Sequence, residues 1–231
     1  MIFQLTSRDR VKLDQTEDRL FYSFPRLVTH VDEGFIEKLT ELYRQRLQPD
    51  TRVLDLMSSW VSHLPVERAF SHVEGHGMNS EELAQNPRLD HYWVQDLNRE
   101  LKLPLGDETF DAVLNCVSVQ YLQYPEAIFS EIHRVLKPGG VAIISFSNRM
   151  FYQKAITVWR DSTEAGRVKL VQGYFNSVQV NQTPGFSVPE VIASPGTSLP
   201  SWLQMFGMGT GDPFYAVIAT RQGEGAGGQG T

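Results

Sequence analysis

Residues 51–60, TRVLDLMSSW, decide the fold class. A polar opening, the apolar pair Val53-Leu54, an acid at Asp55 and then small or flexible residues describe a buried strand running into a sharp turn. In an open α/β sheet the ligand lies beyond such carboxyl ends. Nucleotide-binding versions of this turn are rich in glycine, which lets the backbone approach the ligand closely. Here Met57, Ser58, Ser59 and Val61 stand where glycines are expected, and a stretch of this kind alone is more often plain scaffold than a binding turn.

Downstream, apolar runs alternate with helical patterns. Ser62 to Phe70 reads as a short helix. Ser71 to His76 reads as a second strand, broken by Gly75-His76-Gly77. Ser80 in SEEL is a good N-cap, with Glu81 and Glu82 favourably placed in the first turn, and Asn86-Pro87 ends that helix. His91 to Val94 forms a third strand that leaves Asp96-Leu97-Asn98 at its carboxyl end. Phe110 to Val117, FDAVLNCV, is a continuous apolar run of the kind buried on both faces of a parallel sheet. Glu126 to Lys137 is amphipathic, with Ile128, Ile132, Val135 and Leu136 on one face. Lys137-Pro138-Gly139-Gly140 reads as its stop, and Val141 to Ser147 is a fifth strand. This alternation predicts an α/β fold with a doubly wound, mostly parallel sheet.

The remaining segments are less regular. Asp32 can cap a helix that places Phe35, Ile36, Leu39, Leu42 and Tyr43 on one face, and Pro25 suggests another helix start. Before them, DRLFYSFPRLVTH gathers aromatics with Arg26 and His30, which either line a pocket or plug the end of a core. Phe151 to Trp159 and Gly166 to Tyr174 read as helical, and Phe186 to Ala193 and Pro213 to Thr220 as two last strands. The long connection between those strands carries Trp202, Met205 and Phe206. One domain over residues 1–221 is expected, with residues 1–50 as an N-terminal helical lid and 222–231 as a disordered glycine-rich tail.

Composition narrows the function classes. The chain has 231 residues, 41% hydrophobic and 21% charged, with no apolar run near the roughly 20 residues that span a bilayer. The charged N-terminus does not read as a secretory signal, so a cytoplasmic location is expected. The single cysteine, Cys116, excludes an internal disulfide and a cysteine-cluster metal site. A net charge of −6 without a basic block argues against a nonspecific nucleic-acid binder. His63, His72 and His76 lack a recognised metal-ligand spacing, so no metal is expected. Glu126 and Glu131 are expected on a solvated helix face, and Lys137 at a helix end.

LPLGDETFDAVLNCVSVQYLQYPEAIFSEIHRVLKPGGVAIISFSN, with VLD at the first strand and QDL after the third, resembles the class I S-adenosylmethionine-dependent methyltransferases. More narrowly, it is similar to the small-molecule branch of type 11 and ubiquinone-menaquinone methyltransferases. The resemblance covers about Arg52 to Asn148. It implies a seven-stranded Rossmann-like methyltransferase sheet with an antiparallel terminal strand, and S-adenosyl-L-methionine as cofactor. It implies that Asp55 helps hold the amino acid portion of the cofactor, with Met57, Ser58 and Ser59 occupying the glycine loop. Asp96 corresponds to the acid that accepts from the adenine amino group, Leu97 to the adjoining amide. Asn115, Cys116 and Val117 correspond to the segment next to cofactor and substrate. In the VLDxGxGxG form, all three glycines are replaced, by Met57, Ser59 and Val61. The acid that grips the ribose hydroxyls corresponds to Gly77, within Gly77-Met78-Asn79, which leaves Asn79, Glu74 or backbone groups to substitute.

The expected activity is methyl transfer to a small, partly apolar molecule. Tyr22, His30 and Tyr121 are candidates for a general base where the acceptor must lose a proton. The alternative is an inactive methyltransferase-like module that binds or assembles through the same cleft. Surface association with a membrane is compatible with both.

Overall fold

The computed structural model describes residues 3–196 and 211–223. The connection carrying Trp202, Met205 and Phe206, and the tail from residue 224, lie outside the described residues.

Helices α1 (Asp18–Phe21) and α2 (Glu33–Arg46) precede strand β1 (Arg52–Asp55). Asp32 caps α2 by accepting from the Phe35 amide at 2.8 Å, and Phe35, Leu39, Leu42 and Tyr43 form its buried face. Then come β2 (His72–Gly77), α3 (Ser80–Ala84), β3 (His91–Val94), β4 (Phe110–Cys116), α4 (Pro125–Val135) and β5 (Leu136–Phe146). The chain continues through α5 (Thr157–Arg160), α6 (Glu164–Ser177), the small pair β6 (Gln179–Val180) and β7 (Thr183–Pro184), then β8 (Glu190–Ser194) and β9 (Phe214–Thr220).

The main sheet has seven strands in the order β3-β2-β1-β4-β5-β9-β8. β1 to β5 run parallel, β9 pairs antiparallel with β5, and β8 antiparallel with β9. The expected α/β sheet with its antiparallel strand near one edge is therefore present. Alternate residues of the central strands feed two cores. Val53, Leu114 and Ile143 pack with α2 on one face, while Leu54, Val113 and Ile144 pack with α4 and α6 on the other. The strand order reverses between β1 and β4, which opens a crevice beyond their carboxyl ends.

Several local expectations are corrected. Residues 62–70 form no helix: Leu64 precedes Pro65, which disfavours helical backbone there, and His63 is left-handed at φ 54°. No helix starts at Pro25, and the 151–159 helix reduces to α5. β2 runs through Gly75-His76-Gly77 rather than stopping there. Asn79, not Ser80, caps α3, because its Oδ1 accepts from the Glu81 and Glu82 amides. Lys137-Pro138-Gly139-Gly140 does not separate helix from strand: β5 begins at Leu136, and these residues form an irregularity with Gly139 at φ 80°. Lys137 pairs with Asp111 at 2.8 Å instead of capping α4. Phe186 makes only an isolated bridge to Arg221, so the strand after it starts at Glu190.

Glu126 and Glu131 are bonded rather than simply solvated. Glu126 accepts from the Leu5 amide at 2.7 Å and pairs with Arg10, while Glu131 pairs with Arg134 and accepts from the Leu103 amide. The Glu126 contacts bind residues 5–10 to α4. Further along the same N-terminal strap, Lys12 pairs with Asp18, and the fully buried Lys154 reaches Asp14, Asp18 and the Thr16 carbonyl. Asn98 donates to Asp18 and to the Tyr121 carbonyl, which draws the strap onto the crevice.

Candidate functional site

One cavity of about 320 Å³ occupies the crevice. Its floor comes from the segments that follow β1, β2, β3 and β4, and its outer wall from the N-terminal strap and residues 149–151. Asp55, Met57, Ser58, Ser59, Gly77, Met78, Asn79, Asp96, Leu97, Cys116 and Val117 all line it. Asn115 does not: it is buried behind, donating to the Leu56 carbonyl at 3.2 Å. Tyr22, His30 and Tyr121 line the same cavity.

The turn after β1 is built around His76. Met57 has φ 60°, the left-handed conformation that glycine adopts freely and other residues at a cost of about 1–2 kcal/mol. Its amide donates to His76 Nδ1 at 3.1 Å, so the His76 proton lies on Nε2 and is donated to the Gln95 carbonyl at 3.0 Å. The Ser58 amide bonds to the His76 carbonyl. Burial holds His76 neutral by lowering its pKa to about 4. A buried neutral imidazole thus fixes the turn in which Met57, Ser58 and Ser59 take the place of the glycines expected from the resemblance.

The two serine hydroxyls are also committed. Ser58 Oγ donates to Asp55 Oδ2 and Ser59 Oγ to Glu82 Oε2, each at 2.6 Å. Asp55 is pushed up to about 6 by burial, against the hydroxyl bonds of Ser58 and Ser62, with no cation beside it among the described residues. Burial likewise pushes the Cys116 thiol up to about 12, which keeps it protonated and unreactive. Val117, a β-branched residue, has φ 43° at the end of β4, and Ser118 Oγ, next to it in the cavity wall, is buried without a partner.

Gly77 explains the missing acid at the end of β2. A Cβ there would lie 2.6 Å from the Ser58 carbonyl oxygen and 3.1 Å from a Leu83 methyl, so this position admits no side chain. The two side chains named from sequence are engaged elsewhere in this structure. Asn79 spends Oδ1 on its helix cap and Nδ2 on the Tyr22 carbonyl. Glu74 turns away to His72 and His91.

The outer wall is aromatic. Phe151 has the rings of Phe21, His30 and Tyr121 within 5.1–6.0 Å, and the Arg26 guanidinium lies 4.5 Å from the Phe21 ring. Tyr22, Arg26 and His30 therefore belong to the pocket, whereas Phe24 is exposed. Tyr121 accepts from the Phe151 amide at 2.8 Å, and burial raises the pKa of both tyrosines. Burial lowers that of His30. Sequence reasoning missed Glu82, Ser118, Arg149 and Phe151. Asn148-Arg149 follows the fifth strand directly, which was the available signal for Arg149 and Phe151.

The family described as "Methyltransferase domain" matches residues 65–144. That stretch, about a third of the chain, is similar to methyltransferase domains. A demethylmenaquinone methyltransferase of Streptomyces avermitilis is 34% identical over 104 residues, 44% of this chain and 45% of that protein. A malonyl-[acyl-carrier protein] O-methyltransferase of Hahella chejuensis is 30% identical over 115 residues, 47% of this chain and 40% of that protein. The matched stretch thus spans less than half of either relative. An S-adenosylmethionine-dependent methyltransferase from Mesorhizobium loti shares the fold, with a TM-score of 0.51, 19% identity, and coverage of 78% of this chain and 96% of that one. Among the described residues, no helix is long and apolar enough to cross a membrane, and no group of three or more ligating side chains could hold a metal ion.

Proposed function

We propose that this domain transfers a methyl group from S-adenosylmethionine to a small, partly apolar acceptor. The observation that carries the reading is one continuous cavity with carboxylates at its floor and aromatic rings at its outer wall. Asp55 supplies the fit. Its carboxyl is buried without a compensating cation, and the ammonium of an amino acid would provide one. Asp96, beside Leu97 after β3, would accept from the adenine amino group, with the Leu97 side chain and Met57 as apolar walls.

The cofactor, when bound, supplies an electrophilic methyl on a sulfonium. The protein's part is to hold an acceptor in line with it, and such positioning can supply about 7–11 kcal/mol of the barrier reduction. Tyr22, Tyr121 and Phe151 would enclose an apolar acceptor, and the unpartnered Ser118 hydroxyl offers it a polar contact. Of the three base candidates, His30 is favoured. Its lowered pKa leaves it neutral and able to accept a proton near pH 7, whereas the buried tyrosines stay protonated.

The second reading is a non-catalytic module that binds through the same cleft. It draws support from the Met57 and Ser58 amides and both serine hydroxyls being bonded internally, which removes donors a glycine loop would offer. Calorimetric titration with S-adenosylmethionine and S-adenosylhomocysteine separates the two. Micromolar binding of either supports the transferase, and no binding up to millimolar by folded protein supports the module. A cytoplasmic location belongs to either reading, as does surface association with a membrane through the exposed Leu20 and Phe24 of the N-terminal segment.

A further inference from the structure

A ribose presents two adjacent hydroxyls, and a carboxylate is well suited to accept from both. At the end of β2 no side chain fits, because the Ser58 carbonyl occupies the space beside Gly77. We propose that Glu82, on α3, accepts the ribose hydroxyls of the cofactor in place of a residue at the end of β2; the inference rests on the cofactor assignment above. Three observations place it. Glu82 lines the cavity and is half-buried. It stands beside the turn that crowds Gly77, since its Oε2 accepts from Ser59 Oγ at 2.6 Å, and its neighbour Leu83 packs against Gly77. It is held on its other oxygen as well, where Oε1 accepts from the Arg26 amide at 2.7 Å.

These two bonds leave capacity. An ionised carboxylate has about four acceptor sites, so each Glu82 oxygen keeps roughly one for a hydroxyl donor. The bonds also orient the group, since one anchor comes from the turn after β1 and the other from the strap. The other carboxylates of the cavity are placed differently: Asp18 faces Lys12 and Lys154, Asp55 lies under the turn, and Asp96 follows β3.

The test is the affinity of the full chain and its Glu82→Gln variant for S-adenosylhomocysteine and for the 2′,3′-dideoxy analogue of that compound. Wild type should prefer the parent compound, and Glu82→Gln should weaken the parent by about tenfold or more while leaving the analogue unchanged. Equal weakening of both ligands would mean that Glu82 only braces the turn and would overturn the proposal. Equal affinity of wild type for both ligands would overturn it without any variant. Failure of wild type to bind either would remove the cofactor assignment itself, whereas binding without discrimination at Glu82 removes only this inference.

Discussion

The carbonyl oxygen of Ser58 lies 2.6 Å from the point where a Cβ on Gly77 would be. The backbone of the turn after β1 therefore occupies the space that a side chain at the end of β2 would need. The two departures from the resembling family's pattern are thus linked. Restoring the acid as Gly77→Asp should weaken binding rather than improve it. It should also destabilise the fold by about 1–3 kcal/mol, the usual range for overpacking, read by urea denaturation. A gain in cofactor affinity with unchanged stability would contradict this geometry.

Met57 already holds the backbone of a glycine. Met57→Gly should therefore keep the turn, relieve about 1 kcal/mol of left-handed strain, and lose the packing of a partly buried side chain on the core. Cofactor affinity measured by calorimetry should rise as the side chain leaves the cavity wall. A fall in affinity would show that the turn is specialised around the thioether.

Asp96→Ala should weaken cofactor binding by about 1–3 kcal/mol, the range for leaving a buried donor unpaired. Asp96 Oδ1 also accepts from the Asn98 amide at 2.9 Å, so Asp96→Asn is the necessary companion. Asparagine can keep that local bond. Unchanged affinity in both variants would remove the adenine assignment.

Asp55 and His76 titrate against each other. Asp55 has a folded pKa near 6, above its ordinary 3.8, so its contribution is fully present below 3.8 and lost as pH rises through 6. His76 has a folded pKa near 4, below its ordinary 6.5, so its contribution is present above 6.5 and lost as pH falls through 4. Each amounts to roughly 3 kcal/mol, and they nearly cancel between pH 4 and 6. Asp55→Asn removes one side of this balance. Relative to wild type, the variant should gain about 3 kcal/mol in denaturation free energy on going from pH 4 to 6.5. Parallel pH profiles for the two proteins would contradict the assignment.

The strands of this fold are legible because burial on both faces leaves an unmistakable trace. Val53-Leu54, Val113-Leu114 and Ile143-Ile144 each send neighbours into opposite cores. Asp55 and Asp96 follow from their places at the end of β1 and after β3. What the sequence conceals is competition between local signals. Leu64-Pro65 overrides a weak helical pattern, and the stop-like Lys137-Pro138-Gly139-Gly140 becomes part of a strand because Leu136 pairs with Phe110. Asn79 and Ser80 can both cap a helix, and only the geometry selects Asn79. Glu82 looks like one more first-turn acid until the Ser59 hydroxyl and the Arg26 amide are seen to hold it.

Lys154, with no exposed surface, binds the strap to the body of the domain through Asp14, Asp18 and the Thr16 carbonyl. Peeling the strap away would strand a buried ammonium, a penalty of about 3–5 kcal/mol when one partner of such a pair is lost. Arg149, on the cavity wall beside Phe151, has a largely exposed side chain and pairs with Asp212 among the described residues. The two sides of the cavity thus differ in what it costs to move them: a buried ammonium holds the strap, and a partly exposed ion pair holds the Arg149 side.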